Sequence, residues 1–158
     1  MSKPGGSLSV EQAKRIDGAL AEFISEGAKT VLLVDRDGHL ITQSGDSGSI
    51  DGESFGALIS ANFASTQQIA TQIGEKEFNT FYIQGATRYV YVEAVGDAAV
   101  MVSVFENSTK LGMAKVFASK TSKSLADILA EGGEDEGMNV GGGFADSALA
   151  ELDTILGG

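Results

Sequence analysis

The sequence predicts an α/β fold of the α+β type, with three helices and five strands in the order α-β-β-α-β-β-β-α. Three observations predict it. Short runs of branched and aromatic residues are separated by Asp-Gly, Gly-Asp and lone Gly turns, which join antiparallel neighbours. Longer stretches repeat their apolar residues every three or four positions, as a helix with one buried stripe does. One run, residues 98–105 (AAVMVSVF), is almost wholly apolar, so it belongs at the centre of a sheet with helices on both sides.

The first helix follows a short arm, residues 1–8, expected to be disordered. Ser9-Val10-Glu11-Gln12 has the Ser-x-x-Gln form of a capping box, in which the two side chains satisfy backbone N–H groups that a helix start leaves free. Ala13, Ile16, Leu20, Phe23 and Ile24 then make one apolar stripe, and Gly27 stops the helix. Residues 30–35 (TVLLVD) and 40–43 read as a hairpin across Asp35-Arg36-Asp37-Gly38. That turn is not a calcium loop, because Leu40 and Asp46 stand where an EF-hand requires Gly and Glu.

Residues 45–52 (GDSGSIDG) have loop composition. The second helix follows, with Phe55, Leu58, Ile59, Asn62, Phe63, Ile69, Ala70 and Ile73 at helical spacing and Gly74 at its end. Residues 78–84, 88–95 and 98–105 read as strands, joined at Gly85 and by a two-residue Gly96-Asp97 loop of type II′. Ser108 or Thr109 caps a last helix whose stripe is Leu111, Ala114, Ala118, Leu125, Ile128 and Leu129. Residues 9–130 therefore form the domain. Beyond Ala130, residues 131–143 predict an acidic Gly-rich linker, and 144–158 regain helical spacing through Phe144, Leu149, Leu152, Ile155 and Leu156. A segment that short is marginal as an isolated helix.

Several kinds of chemistry lack their residues. There is no cysteine and only one histidine, His39, so no disulfide framework, thiolate metal site or catalytic triad is expected. No Gly-x-x-x-x-Gly-Lys-Ser/Thr loop occurs, so the chain is not itself a P-loop GTPase. Gly141-Gly142-Gly143 lies in the acidic tail and follows no strand, and Asp35, Asp37 and Asp97 are turn residues that favour their own backbone. No cofactor and no enzymatic activity are expected. The formal charge of -11 disfavours nucleic acid. No stretch reaches the roughly 18 apolar residues of a membrane span, so a cytoplasmic protein without membrane insertion is expected.

One feature predicts a partner. Residues 54–74 contain no Lys, Arg, Asp or Glu, and Gly56, Ala57, Ser60, Ala61, Ala64 and Ser65 form a strip of small side chains on the second helix. A helix face open to water normally carries charges. An uncharged strip of small residues suits close approach of another helix.

The strings VLLVDRDGHLITQSG (31–45), LISANFAST (58–66), IGEKEF (73–78) and VSVFENSTKLGMAKV (102–116) resemble the Roadblock/dynein-light-chain family, in particular its MglB-like branch of bacterial polarity regulators. The resemblance spans about residues 28–130. It implies a five-stranded antiparallel sheet with helix two on one face and helices one and three on the other. It also implies a homodimer paired through the third strand, here Phe78, Asn79, Thr80, Phe81, Tyr82 and Ile83, with the second helices side by side. Such dimers activate a small Ras-like GTPase, MglA-like, across those helices, by repositioning the GTPase's own arginine and glutamine. The matching positions are Gly56, Ala57, Ser60, Ala61, Ala64, Gln67 and Gln68. Phe144, Leu149, Leu152, Ile155 and Leu156 match a C-terminal segment that docks on the GTPase. A Roadblock scaffold that tethers a GTPase or motor subunit is the alternative function. A ligand-sensing domain is the further one, and it requires a pocket with convergent polar groups that the sequence does not reveal.

Overall fold

Val31, Leu32, Leu33 and Val34 are consecutive and all buried, which a strand achieves only when both faces of its sheet are covered. The computed structural model describes residues 8–46, 48, 50–76 and 78–140, with the backbone alone over 132–140. Its elements are α1 (Val10–Ser25), β1 (Thr30–Asp35), β2 (Leu40–Gly45), α2 (Gly52–Gln72), β3 (Thr80–Gln84), β4 (Arg88–Val95), β5 (Ala99–Glu106) and α3 (Leu111–Val140). The order is the one the sequence predicts.

The chain divides into two compact units. The larger, Asp17–Leu125, holds the sheet, whose strands run β2-β1-β5-β4-β3, every pair antiparallel. β5 is central and buried along nearly its whole length, as its apolar run requires. One face carries Leu32, Val34, Val92, Val100 and Val102, which pack with Ile59 and Phe63 of α2. On the other, Phe105 stacks on Tyr89 at 5.2 Å and meets the edge of the Phe23 ring of α1 at 5.8 Å, while the Ser122 hydroxyl of α3 donates to Glu93 at 2.8 Å. Helix two thus covers one face and helices one and three the other.

The smaller unit joins the start of α1 to the end of α3. The capping box forms as the sequence predicts: the Gln12 N–H donates to Ser9 Oγ at 3.0 Å, and the Ser9 N–H donates to Gln12 Oε1 at 2.9 Å. Gln12 is buried and also donates from Nε2 to the Ile128 carbonyl at 3.0 Å. The cap residue is therefore a tertiary tie as well.

Several boundaries differ from the sequence expectation, among them that of β2, which runs to Gly45 rather than 43. β3 begins at Thr80 rather than Phe78, because the backbone of Phe78 is held by a side chain instead of the strand ladder. Val95 pairs with Ala99, so the β4–β5 loop has Ala98 as a third residue, although Gly96 does adopt the positive φ of 56° that the turn demands. Finally α3 continues to Val140, past the end placed at Ala130, so a linker starting at Glu131 is corrected over 131–140. Adding residues to a helix already nucleated upstream costs far less than starting one, and this offsets the poor helix propensity of Gly132, Gly133 and Gly137.

Candidate functional site

Helix α2 is anchored by its small residues. A Cβ on Gly56 would lie 2.8 Å from the Gly38 carbonyl and 2.9 Å from Val34 Cγ1, so glycine alone lets the β1–β2 turn rest on the helix. Gly38 reciprocates, with φ at +96° and the Ala57 backbone 3.1 Å from where its Cβ would stand. The turn itself is closed by Asp35, whose Oδ1 accepts the N–H groups of Asp37 and His39 at 2.9 Å each. Ser60 then donates its hydroxyl to the Arg36 carbonyl at 2.9 Å. Gly56 is buried, and its smallness serves the hairpin. Ser60 is half-buried and shared between the two roles.

Gln67 has a role within its own domain. Its Nε2 donates to the Phe78 carbonyl at 2.7 Å, and its Oε1 accepts the Phe78 N–H at 3.4 Å. The side chain clamps the approach to β3 rather than reaching outward. Gln68 is exposed, as are Ala57, Ala61, Ala64 and Ser65.

What the sequence missed is the apolar half of the outward face. Leu58, Ile69 and Ile73, expected in the core stripe with Ile59 and Phe63, are 62, 55 and 64% exposed. At steps of eleven and four residues they fall near one line along the helix, with Ala61 and Ser65 beside it. The absence of charge over 54–74 was the available signal, because such a helix has two apolar sides to place.

Next to α2 lies the β3 edge, which among the described residues pairs with β4 alone. Tyr82 and Ile83 are exposed there, as are Asn79 and Thr80, whereas Phe81 packs against the core beneath α2, 6.2 Å from the Phe63 ring, and Phe78 is half-buried. The six residues expected at the dimer contact thus divide into four outward and two that belong partly to their own domain. Phe144, Leu149, Leu152, Ile155 and Leu156 lie outside the described residues.

The site holds little acid–base chemistry. Burial pushes the Glu93 carboxyl upward, while the Ser122 hydroxyl and nearby Lys123 pull it back; it faces α3, away from α2. Asp35, Asp37 and His39 bring potential metal-binding atoms within 4.8 Å of one another, but one Asp35 oxygen is already spent on the turn. Among the described residues no helix is long and apolar enough to cross a membrane.

A sequence profile of the Roadblock/LC7 domain matches residues 20–105. The chain belongs to the Roadblock/LC7 family. Among solved structures it is similar to Myxococcus xanthus MglB, with 33% identity over 74% of this chain and 96% of that one and a TM-score of 0.71. The gliding protein MglB of Thermus thermophilus is 28% identical over 82% and 99% of the two chains, with a TM-score of 0.75. An MglB with a tetrameric arrangement is 27% identical over 83% and 99%, with a TM-score of 0.77. No curated protein sequence matches the chain.

Proposed function

We propose that this Roadblock protein is a homodimeric regulator of a small Ras-like GTPase of the MglA type, and that it accelerates GTP hydrolysis by holding the GTPase's own catalytic residues in place. The observation that carries the reading is the outward face of α2, where Leu58, Ile69 and Ile73 stand exposed beside Ala57, Ala61, Ala64 and Ser65. Leaving that much apolar side chain in water is unfavourable by roughly 25 cal/mol per Å², and the small residues let a partner's backbone come close. Similarity to MglB supports the choice of partner. The helix itself carries no arginine or carboxylate over 54–74, so activation through it acts by favouring one conformation of the partner.

The β3 edge supports the dimer, since unpaired backbone beside exposed Tyr82 and Ile83 is a template for a second strand. A second contact through the segment bearing Leu152 and Ile155 completes the proposal; deleting residues 141–158 should leave the dimer intact and weaken GTPase binding. The experiment is single-turnover GTP hydrolysis by an MglA-like GTPase from the same genome, with and without this protein. Faster hydrolysis supports activation. Binding with unchanged hydrolysis supports the scaffold alternative instead, and absence of binding overturns the GTPase reading.

A further inference from the structure

The hairpin tips and α2 border an open cavity of about 610 Å³, within the range of roughly 300–1,000 Å³ typical of small-molecule sites. Its walls bring together Arg36 from the β1–β2 turn, Asp97 from the β4–β5 turn, Asn79 from the approach to β3, and the apolar side chains of Phe63, Ala64 and Val100. These come from five separate stretches of the larger unit, so the arrangement exists only in the folded domain. It is also a pocket with convergent polar groups of the kind that the sequence did not reveal.

Of the two charges, Arg36 is held but not spent, and Asp97 has no side-chain partner among the described residues. Arg36 Nη2 donates to the Gly96 carbonyl at 2.7 Å, and the guanidinium sits 5.3 Å from the centre of the Phe63 ring. Together these fix its direction and leave further N–H donors free, of the five a guanidinium carries. The other two arginines, Arg15 and Arg88, are each paired with a glutamate. Among the described residues Arg36 and Asp97 take part in no ion pair, with each other or with any other group. A single cation and a single anion on one cavity, with Phe63, Ala64 and Val100 also on its lining, match a ligand of the opposite pattern: a carboxylate, an ammonium and an apolar side chain on one small molecule.

We propose that this cavity binds a free α-amino acid with an apolar side chain, its carboxylate on the Arg36 guanidinium, its ammonium on the Asp97 carboxylate and its side chain over Ala64, the exposed apolar residue of the wall. A guanidinium binds a carboxylate through two parallel N–H donors, which gives orientation as well as attraction. Asp97 discriminates against simple carboxylates, because they leave its charge without a partner in the occupied site. The site is built within one domain, but Ala64 and Asn79 on its wall also belong to the faces proposed for the GTPase and the second protomer, so the test is made on the protein without a GTPase.

The test is a nuclear magnetic resonance titration of the full chain with L-leucine and L-phenylalanine. Each is compared with its analogue lacking the ammonium (4-methylpentanoate, 3-phenylpropanoate) and its analogue lacking the carboxylate (3-methylbutylamine, 2-phenylethylamine). Saturable shifts of the Asn79, Gly96 and Asp97 amides with an amino acid, at least about tenfold weaker with both of its analogues, are expected; tenfold corresponds to ~1.4 kcal/mol. Arg36→Gln should abolish the shifts, Arg36→Lys should restore part of them, and Asp97→Asn should bring the amino acid down to the affinity of the plain carboxylate. Asp97→Asn keeps the test open if Arg36→Gln disturbs the turn, because Asp97 has no side-chain bond to lose among the described residues. Absence of any saturable shift, equal binding of amino acid and carboxylate, or binding indifferent to Asp97→Asn each overturns the proposal.

Discussion

Along α2, Ile59, Phe63 and Ala70 point to the sheet and are enclosed, whereas Leu58, Ile69 and Ile73, equally apolar, stand in the open. The two sides share a composition and differ in what they meet. Inward, the side chains fall between Leu32, Val34, Val92, Val100 and Val102, and a glycine is set where the β1–β2 turn crosses. Outward, alanine and serine separate the large residues, and nothing among the described residues covers them. Apolar character therefore marks both a core and a contact surface, and stability and binding should respond to opposite sides of one helix.

Phe63→Ala gives the largest expected effect. It deletes a ring packed on the core and on Phe81, so unfolding by denaturant should show a loss of about 3–5 kcal/mol, the usual cost of such a truncation. A loss below about 1 kcal/mol would break the distinction between the sides. Ala64→Arg should do the reverse: about a hundredfold weaker GTPase binding by calorimetry, ~2.7 kcal/mol, with stability within about 0.5 kcal/mol of the parent, as for surface changes generally. Unfolding by Ala64→Arg would place that position in the core.

Gly56→Ala sharpens the comparison at a residue of the smallest kind. Its new methyl would meet the Gly38 carbonyl and Val34, and overpacking of this sort costs about 1–3 kcal/mol; a thermal melt would read it, and GTPase affinity at saturating folded protein should hold. The smallest expected change in stability belongs to Leu58→Ser with Ile69→Ser, within about 0.5 kcal/mol for each. Their effect should appear in GTPase binding, checked by the same calorimetry.

Much of the architecture was legible from local patterns. The Ser9–Gln12 box, the Asp35–Gly38 turn and the positive φ at Gly96 each depend on a few consecutive residues, and such chemistry is written where it acts. The candidate site was half legible. Ala57, Ala61, Ala64 and Gln68 are exposed as expected, but Gly56 and Gln67 turned out to serve the hairpin and the start of β3. Their partners lie eleven or more positions away in the chain, beyond the reach of helical spacing.

The sequence by itself determined the order of the elements, the turns and caps that bound them, the centrality of the 98–105 run and the lack of charge on the second helix. These follow from backbone preferences and from apolar periodicity, which are properties of neighbouring residues. Only the tertiary structure decided which apolar residues of α2 face the sheet, because a period gives spacing and leaves direction to the surface against which the helix packs. It alone also set Arg36 and Asp97, far apart in the chain, on one cavity over Phe63. That meeting is made by strand order: β1 and β5 are paired so that their turns end at the same edge of the domain, and no local pattern encodes such a pairing.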